Sequence, residues 1–473
     1  MSPNPLRSLP SVNELLESPP LRKLMDRISR NVVVSTVRTA LDELRSEVQT
    51  AAAEMTMPSL ADLAERIARR IAEGEAPGLQ PVINATGILL HIGLGPPPLA
   101  EEALAEMAAV SRDYASVELD LGSGRPSRRT AAVEELLKEL TGAEAALVVN
   151  HSAGATMLTL AALAAGREVI VSRGQLIELG GGYRLPEVAA AGGASLCEVG
   201  TTNTTRLHDY ARAIGDSTAA LLMIQPSNFV VVGYTESVSL RELVQLGRQH
   251  KLPVIHDMGY GALVDFSQFG LSGEPVVRES IAAGADLVLF SGDKLLGGPQ
   301  CGIMMGRKAI LEKIEGHAMA RVLQADKPTL AALAATLRLY RAPEQARLAI
   351  PLLRLLGTSV ENLQHRAERL APQMAAAACV EAAEAIPAET SLDGSTVPHR
   401  KLPTWCVALK PKKLSADRLA ACLRLGMPAV VGRVHEDRLL LDLRGVLPRQ
   451  DLQLVAAVEA IATAAQQGSE AAG

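Results

Sequence analysis

Lys294 stands where a lysine side chain can do covalent chemistry. It lies in Val288-Leu289-Phe290-Ser291-Gly292-Asp293-Lys294-Leu295-Leu296-Gly297-Gly298-Pro299-Gln300-Cys301-Gly302. The apolar run Asp286-Leu287-Val288-Leu289-Phe290 reads as a buried strand, and a Gly-rich turn follows the lysine. A lysine seldom sits where a buried strand emerges unless its amine has a task. Burial of an amine lowers its pKa and frees the lone pair for a Schiff base. The partner this chemistry calls for is pyridoxal 5'-phosphate (PLP). The competing reading is a surface lysine capping a strand, and two further features weigh against it.

Asp257 is the first, in Leu252-Pro253-Val254-Ile255-His256-Asp257-Met258-Gly259-Tyr260-Gly261. A short apolar strand again ends in a polar residue with glycines behind it. PLP needs a carboxylate that keeps its pyridine nitrogen protonated, so that the ring can act as an electron sink. Asp257 lies 37 residues before Lys294. That gap fits one helix and one strand, which puts both residues at the same edge of a parallel sheet, where such sheets bind ligands. A strand-end turn or a helix N-cap is the alternative for this aspartate.

The second is Ala145-Ala146-Leu147-Val148-Val149-Asn150-His151-Ser152-Ala153-Gly154-Ala155-Thr156. A strand runs into small residues and then into a helical stretch, Met157 to Ala165. Small residues at Ser152, Ala153 and Gly154 let the backbone approach a phosphate, and a helix N-terminus offers free N–H groups and a favourable dipole. His151 is placed either to stack on the PLP ring or to close the turn by a hydrogen bond. Ser291 can add a hydroxyl to the phosphate. Alone, this strand–turn–helix is a weak signal; the three features in this order are a strong one.

The elements that must position these residues follow from the rest of the chain. At 473 residues, two or three domains are expected. Hydrophobic residues make up 48% and aromatics 2%, so a buried sheet must be filled mainly by Ala, Leu, Val and Ile. A net charge of −5 gives no global sign of nucleic-acid binding, so any RNA contact has to come from a local patch. The five cysteines, Cys197, Cys301, Cys379, Cys406 and Cys422, have neither CxxC pairing nor metal spacing and read as reduced thiols of a cytoplasmic protein. Cys301, near Lys294, reads as a packed small residue before it reads as a reactive thiol. Neither a signal-peptide pattern nor an apolar run long enough for a bilayer is expected.

Residues 1–75 read as a separate helical domain. A helix opens in Leu9-Pro10-Ser11-Val12-Asn13-Glu14-Leu15-Leu16, and others lie near Val32–Met55 and Ser59–Ala72. Glu73-Gly74-Glu75-Ala76-Pro77-Gly78 reads as a linker. Residues 76–330 alternate strands with helices, the mark of a parallel α/β sheet, with strands at Ala145–Val149, Glu168–Val171, Ala219–Ile224, Val254–His256 and Leu287–Phe290. Residues 331–473 begin with a helical region to about Ala377 and continue as a small α/β domain. Its strands are Trp405–Leu409, Ala429–Val434 and Arg438–Leu443, and its helices Ala416–Leu425 and Gln450–Ala465. The tail Gln466–Gly473 is expected to be disordered.

With Lys294 in SGDKLLGGPQCG, the chain resembles the bacterial selenocysteine synthases (L-seryl-tRNA(Sec) selenium transferases), PLP enzymes of the aspartate-aminotransferase fold, fold type I. The likeness runs over nearly the whole sequence. It includes LPSVNELL at 9–16, INATG at 83–87, TGAE at 141–144, VSRG at 171–174, EVGTTN at 198–203, ADK at 325–327, VGRV at 431–434 and LDLR at 441–444. The resemblance implies that L-seryl-tRNA(Sec) is converted to L-selenocysteinyl-tRNA(Sec) with selenophosphate, through a PLP-bound aminoacrylyl intermediate. It implies Lys294 as the Schiff-base residue and proton shuttle, Asp257 as the pyridinium partner, and substrate contacts at Arg321, Asn203 and Arg173. It also implies a tRNA-binding N-terminal domain and a ring-shaped decamer. Charge adds little to this, since residues 1–50 carry seven basic and six acidic side chains.

Departures from the family pattern cluster at the expected site. The family usually reads His-Thr-Asn-Leu-Gly-Arg where this chain has His91-Ile92-Gly93-Leu94-Gly95-Pro96. Thr204 and Gln324 stand where arginines are usual, although Arg321 is kept. Gln225-Pro226-Ser227-Asn228 replaces His-Thr-Ser-Asn, Tyr260 replaces a serine, and His151-Ser152 replaces two asparagines. Arginines clamp phosphate-like anions with charge-assisted bonds of about 1.5–3 kcal/mol each. One reading is therefore a selenocysteine synthase with a rebuilt anion pocket. The alternative is a PLP-dependent lyase, by β-elimination or as an ammonia-lyase, on a small hydroxy-amino compound. A tRNA- or PLP-binding regulator is a third class, against which Lys294 and Asp257 argue.

Overall fold

The computed structural model describes residues 9–50, 58–75, 78–176, 178–179, 182–395 and 401–470. The chain forms two compact units, Met1–Pro81 and Val82–Gly473. The first is helical: Val12–Leu16, Pro19–Met25, Arg30–Thr50 and Leu60–Glu75. Ser11 and Glu14 form a reciprocal capping box that starts the first helix. Leu15, Leu21, Val33, Val37, Leu41 and Ile67 fill the unit's own core. The expected linker begins as helix, which runs to Glu75; Ala76 and Pro77 lie outside the described residues, as do residues 51–55 of the expected second helix.

In the second unit the strands of the first half are β1 (Val82–Asn84), β2 (Ala145–Val149), β3 (Glu168–Ser172), β4 (Glu178–Leu179), β5 (Tyr183–Arg184), β6 (Ser195–Val199), β7 (Thr218–Ile224), β8 (Val254–Asp257), β9 (Leu287–Ser291) and β10 (Gly302–Gly306). Seven of them form one sheet in the order β2-β10-β9-β8-β7-β3-β6. β10 is antiparallel to both β2 and β9, and the remaining pairs are parallel. All residues of β2, β9 and β10 are buried, as expected of strands covered on both faces. The antiparallel insertion is a departure from the purely parallel alternation. Its cause is the turn after β9, which carries Lys294 and reverses the chain without a helix, so the next strand returns beside β9. A Cβ at Gly302 would overlap the carbonyl of His151, so only glycine lets β10 start this close to the end of β2.

The second half carries β11 (Val380–Ser391), β12 (Lys401–Pro411), β13 (Ala429–Val431), β14 (Arg433–His435) and β15 (Arg438–Asp442). Four of them form a sheet in the order β11-β12-β15-β14, and β1 pairs in parallel with β13. The expected helical region is four helices, Lys327–Leu339, Pro343–Ala349, Pro351–Leu356 and Val360–Ala375. The expected disordered tail is instead helical as far as Glu470, since nothing before it interrupts the run from Asp451; residues 471–473 lie outside the described residues.

Candidate active site

The sheet's parallel strands all end at one edge, and the residues singled out above emerge there. Asp257 is the last residue of β8, and Lys294 follows the end of β9 by three residues. β8 and β9 are parallel neighbours with Asp257 level with Leu289. Two bonds tie the turns together: Met258 N–H donates to Leu289 O at 2.9 Å, and Ser291 N–H to Gly259 O at 2.9 Å. The helix Val277–Ala282 makes the crossover between these strands, so the spacing argument holds in space.

Lys294 is part-buried and its Nζ lies 2.6 Å from Asp293 Oδ2, whose side chain is buried. Gly292 allows this turn, because a Cβ there would overlap Cys301 Sγ. Burial, with the Asp293 charge beside it, pushes the Cys301 thiol pKa well up, which keeps it protonated and packed. Asp257 keeps some open surface at the strand edge, but the protein around its carboxyl raises its pKa above the usual carboxylate value. Two neutral donors oppose that effect: Gly259 N–H at 3.0 Å on Oδ1 and Thr156 Oγ1 at 3.0 Å on Oδ2. Among the described residues no cation pairs with it. A carboxylate so held lacks a positive partner, and a protonated pyridine nitrogen is one.

Thr156 belongs to the helix Ser152–Ala164, which starts directly after β2. His151 is its N-cap, with Nδ1 accepting from Ala153 N–H at 3.1 Å. His151 is exposed, Ser152 and Ala153 are part-buried, and Gly154 is buried. Gly154 packs against Leu323, and Asn150 N–H donates to Leu323 O at 2.8 Å, which brings the segment of Arg321 and Gln324 beside the helix start. Gln324 itself bridges to Val149. Arg321 is exposed and 3.6 Å from Glu118, a carboxylate shared with Arg129 at 2.9 Å.

Arg173 and Asn203 stand at the same edge of the sheet but face protein groups. The Arg173 guanidinium donates to the Glu198 carboxylate and to the carbonyls of Glu198 and Gly200. Asn203 Nδ2 donates to Tyr234 O at 2.7 Å. Both hold the loop after β6. Ser291 is buried at the end of β9. The altered positions are placed as follows: Ile92, Gly93 and Pro96 are exposed, and Thr204 Oγ1 lies 3.0 Å from Thr201 Oγ1.

Four residues at the site carry no sequence signal strong enough to single them out. Thr156 was only the end of the small-residue turn, yet it holds Asp257. Asp293 is one residue from Lys294 and pairs with it. Asn228 Oδ1 is buried without a partner among the described residues, in the loop after β7. The Tyr183 phenol has its pKa raised by burial and by the Asp257 charge. Thr156, Asp293 and Asn228 sit in motifs already in view; only tertiary structure reveals Tyr183.

Two families match the chain: L-seryl-tRNA selenium transferase over residues 82–447, and the selenocysteine synthase N-terminal family over residues 6–45. The L-seryl-tRNA(Sec) selenium transferase of Moorella thermoacetica is 43% identical over 470 residues, covering 99% of each chain. That of Hyphomonas neptunium is 44% identical over 446 residues, 94% of this chain and 96% of its own. Among solved structures, D-glucosaminate-6-phosphate ammonia-lyase superposes with a TM-score of 0.55 at 23% identity, covering 82% of this chain and 97% of that one, which is a likeness of fold.

Proposed function

The chain belongs to the L-seryl-tRNA selenium transferase family, and from that premise we propose that it converts L-seryl-tRNA(Sec) to L-selenocysteinyl-tRNA(Sec) with selenophosphate as donor. It is a PLP-dependent transferase of fold type I. The observation that carries the reading is the match to transferases of that name over 99% of both chains. The geometry of Asp257 and Lys294 supports it, because a part-buried carboxylate with no cation beside it among the described residues and a part-buried lysine suit this cofactor.

PLP, when bound, supplies an electron sink for the charge left by loss of the serine α-proton. Lys294 would hold it covalently and Asp257 would pair with its ring nitrogen. Thr156 and the Gly259 amide orient the Asp257 carboxylate. The amides at the start of the helix Ser152–Ala164, with Ser291, would receive the phosphate, and His151 would cover the ring. Lys294 Nζ would also be the group that receives the serine α-proton and returns it to the departing serine hydroxyl. Asp293, 2.6 Å away, stabilises Nζ while it carries that proton. Arg321, Asn203 and Arg173 would line the substrate side.

Residues 1–75 would grip the tRNA, with 76–330 as the cofactor domain and 331–473 as the small domain. A homo-oligomer, a ring-shaped decamer, fits this reading. So does a cytoplasmic site of action, where charged tRNA is made; among the described residues no helix is long and apolar enough to cross a membrane.

The test is incubation of the PLP-loaded protein with seryl-tRNA(Sec) and selenophosphate, with mass analysis of the amino acid released from the tRNA. Free serine, small hydroxy-amino acids and seryl-tRNA(Ser) are the controls. Selenocysteine from seryl-tRNA(Sec) alone is the expected result. Pyruvate or ammonia from a free hydroxy-amino acid, with no selenocysteine, would replace the transferase reading by the lyase.

A further inference from the structure

Tyr260 lies in the turn that follows Asp257, between Gly259 at φ 63° and Gly261 at φ 61°. Only glycine adopts such angles readily, and a Cβ on Gly261 would also overlap the ring of Phe290 on β9. Tyr260 N–H closes the turn onto Met258 O at 2.7 Å. The backbone thus sets the direction of the phenol, whose hydroxyl donates to Asp393 Oδ2 at 2.9 Å. The other Asp393 oxygen accepts Ser395 N–H at 3.0 Å, which fixes that side chain in turn.

Asp393 stands just beyond the end of β11, 133 residues from Tyr260. Further along the hairpin, Val407 and Leu409 pack in the core of the C-terminal sheet. Where β11 ends and β12 begins the packing changes. Leu392 and Leu402 are buried in the other core, the one that also holds Met258, Phe290 and Leu90. Leu90 N–H also donates to Leu392 O at 2.8 Å. The ends of these two strands therefore share a core with the residues around the Asp257 turn, and the phenol–carboxylate bond links the turn to the end of β11 directly. A hydroxyl bonded to a carboxylate is a strong, directional contact.

We infer that Tyr260 and Asp393 are a positioning pair that ties the Asp257 turn to the end of β11, so that this tie sets how firmly Asp257 grips the pyridine nitrogen. This rests on the reading of Asp257 as the partner of that nitrogen. Tyr260 does not touch the reacting atoms in this account; it acts through Asp257.

The experiment titrates the full-length apoprotein with PLP by visible absorbance and follows hydrogen exchange of the amides at 258–261. Tyr260→Phe keeps the ring and removes only the donor. It is expected to raise the PLP dissociation constant about tenfold, the worth of one such bond, and to speed exchange in the turn while β3 and β6 stay protected. Asp393→Ala should weaken PLP binding at least as much, since it also loses the bond from Ser395 N–H, and adding Tyr260→Phe to it should cost less than Tyr260→Phe costs alone. Asp393→Asn, whose amide oxygen still accepts, should restore near-parental affinity. A lowered melting temperature with unchanged PLP affinity and unchanged exchange at 258–261 would make the pair a structural peg and overturn the proposal. Asp257→Asn separates the two readings. If it weakens PLP while Tyr260→Phe does not, the pair is wrong and Asp257 stands; if Asp257→Asn leaves PLP affinity and its spectrum unchanged, the role of Asp257 falls and the pair with it.

Discussion

A carboxyl with a raised pKa and a lysine against a buried carboxylate divide the chemistry of this site between them. Asp257 is held by two neutral donors and by no described cation. A positive ring nitrogen beside it therefore removes a cost that the apoprotein bears. Asp257→Asn should leave the cofactor covalently retained but slow α-proton exchange of the seryl group in deuterated water about ten- to hundredfold, the range of one charged hydrogen bond. Exchange at the parental rate would remove Asp257 from the mechanism. Lys294→Ala goes further. No cofactor should remain on the protein after borohydride reduction and denaturation, and turnover should fall by at least about 10²-fold. Retention of a reduced cofactor by that variant would point to another lysine. Both residues were legible in the sequence because each lies within a few residues of the end of an apolar run, with a Gly-rich turn beside it. Thr156 was not, because its role is defined by a bond to a residue 101 positions away.

Many of the strands and helices here are predictable from short-range pattern. The helix Ala416–Leu425 and the strand Ala145–Val149 lie where apolar periodicity and runs put them. β10 does not announce itself, since Gly302-Ile303-Met304-Met305-Gly306 reads as well in a parallel strand as in the antiparallel one it forms. β8 carries a second buried group that the reaction does not use. His256 Nδ1 lies 3.1 Å from Ser280 Oγ on the crossover helix, and its Nε2 has no partner among the described residues. Burial lowers its pKa from 6.5 to about 4. The folded protein keeps this ring neutral while the unfolded chain takes up a proton below pH 6.5. Its contribution is thus complete above pH 6.5 and is lost as pH falls towards 4. A shift of that size corresponds to roughly 3 kcal/mol. His256→Asn should lower the melting temperature at pH 7 but flatten its fall between pH 6.5 and 4. Parallel melting curves for the two proteins across that window would refute this.

For the second unit as a whole, stability depends on contacts that join distant stretches of chain. Asp451, at the start of the last helix, is 4% exposed and meets Arg366 Nη2 at 2.6 Å and Arg369 at 2.6 Å. Arg366 also donates to Val446 O at 2.9 Å, so it joins the helix Val360–Ala375 to two C-terminal segments. Arg366→Ala leaves a buried carboxylate with only the more exposed Arg369. A loss of about 3 kcal/mol, the low end for a broken buried pair, is expected in denaturant unfolding. A change below about 0.5 kcal/mol would show the pair to be dispensable. At this scale too the N-terminal stretch behaves unexpectedly, because β1 lies beside β13, some 350 residues away in sequence.

The amino-acid sequence by itself determined where many of the strands and helices lie, that Lys294 and Asp257 leave strands at one edge, and which family the chain resembles. These follow from local apolar runs, glycine placement and motif spacing, all of which act over a few residues. Only the tertiary structure decided which strands are neighbours, that β10 runs against them, that Thr156 holds Asp257, and that Tyr260 reaches Asp393. Such contacts depend on how buried strands sort themselves side by side, and nearly uniform runs of Ala, Val, Leu and Ile carry little information about that order.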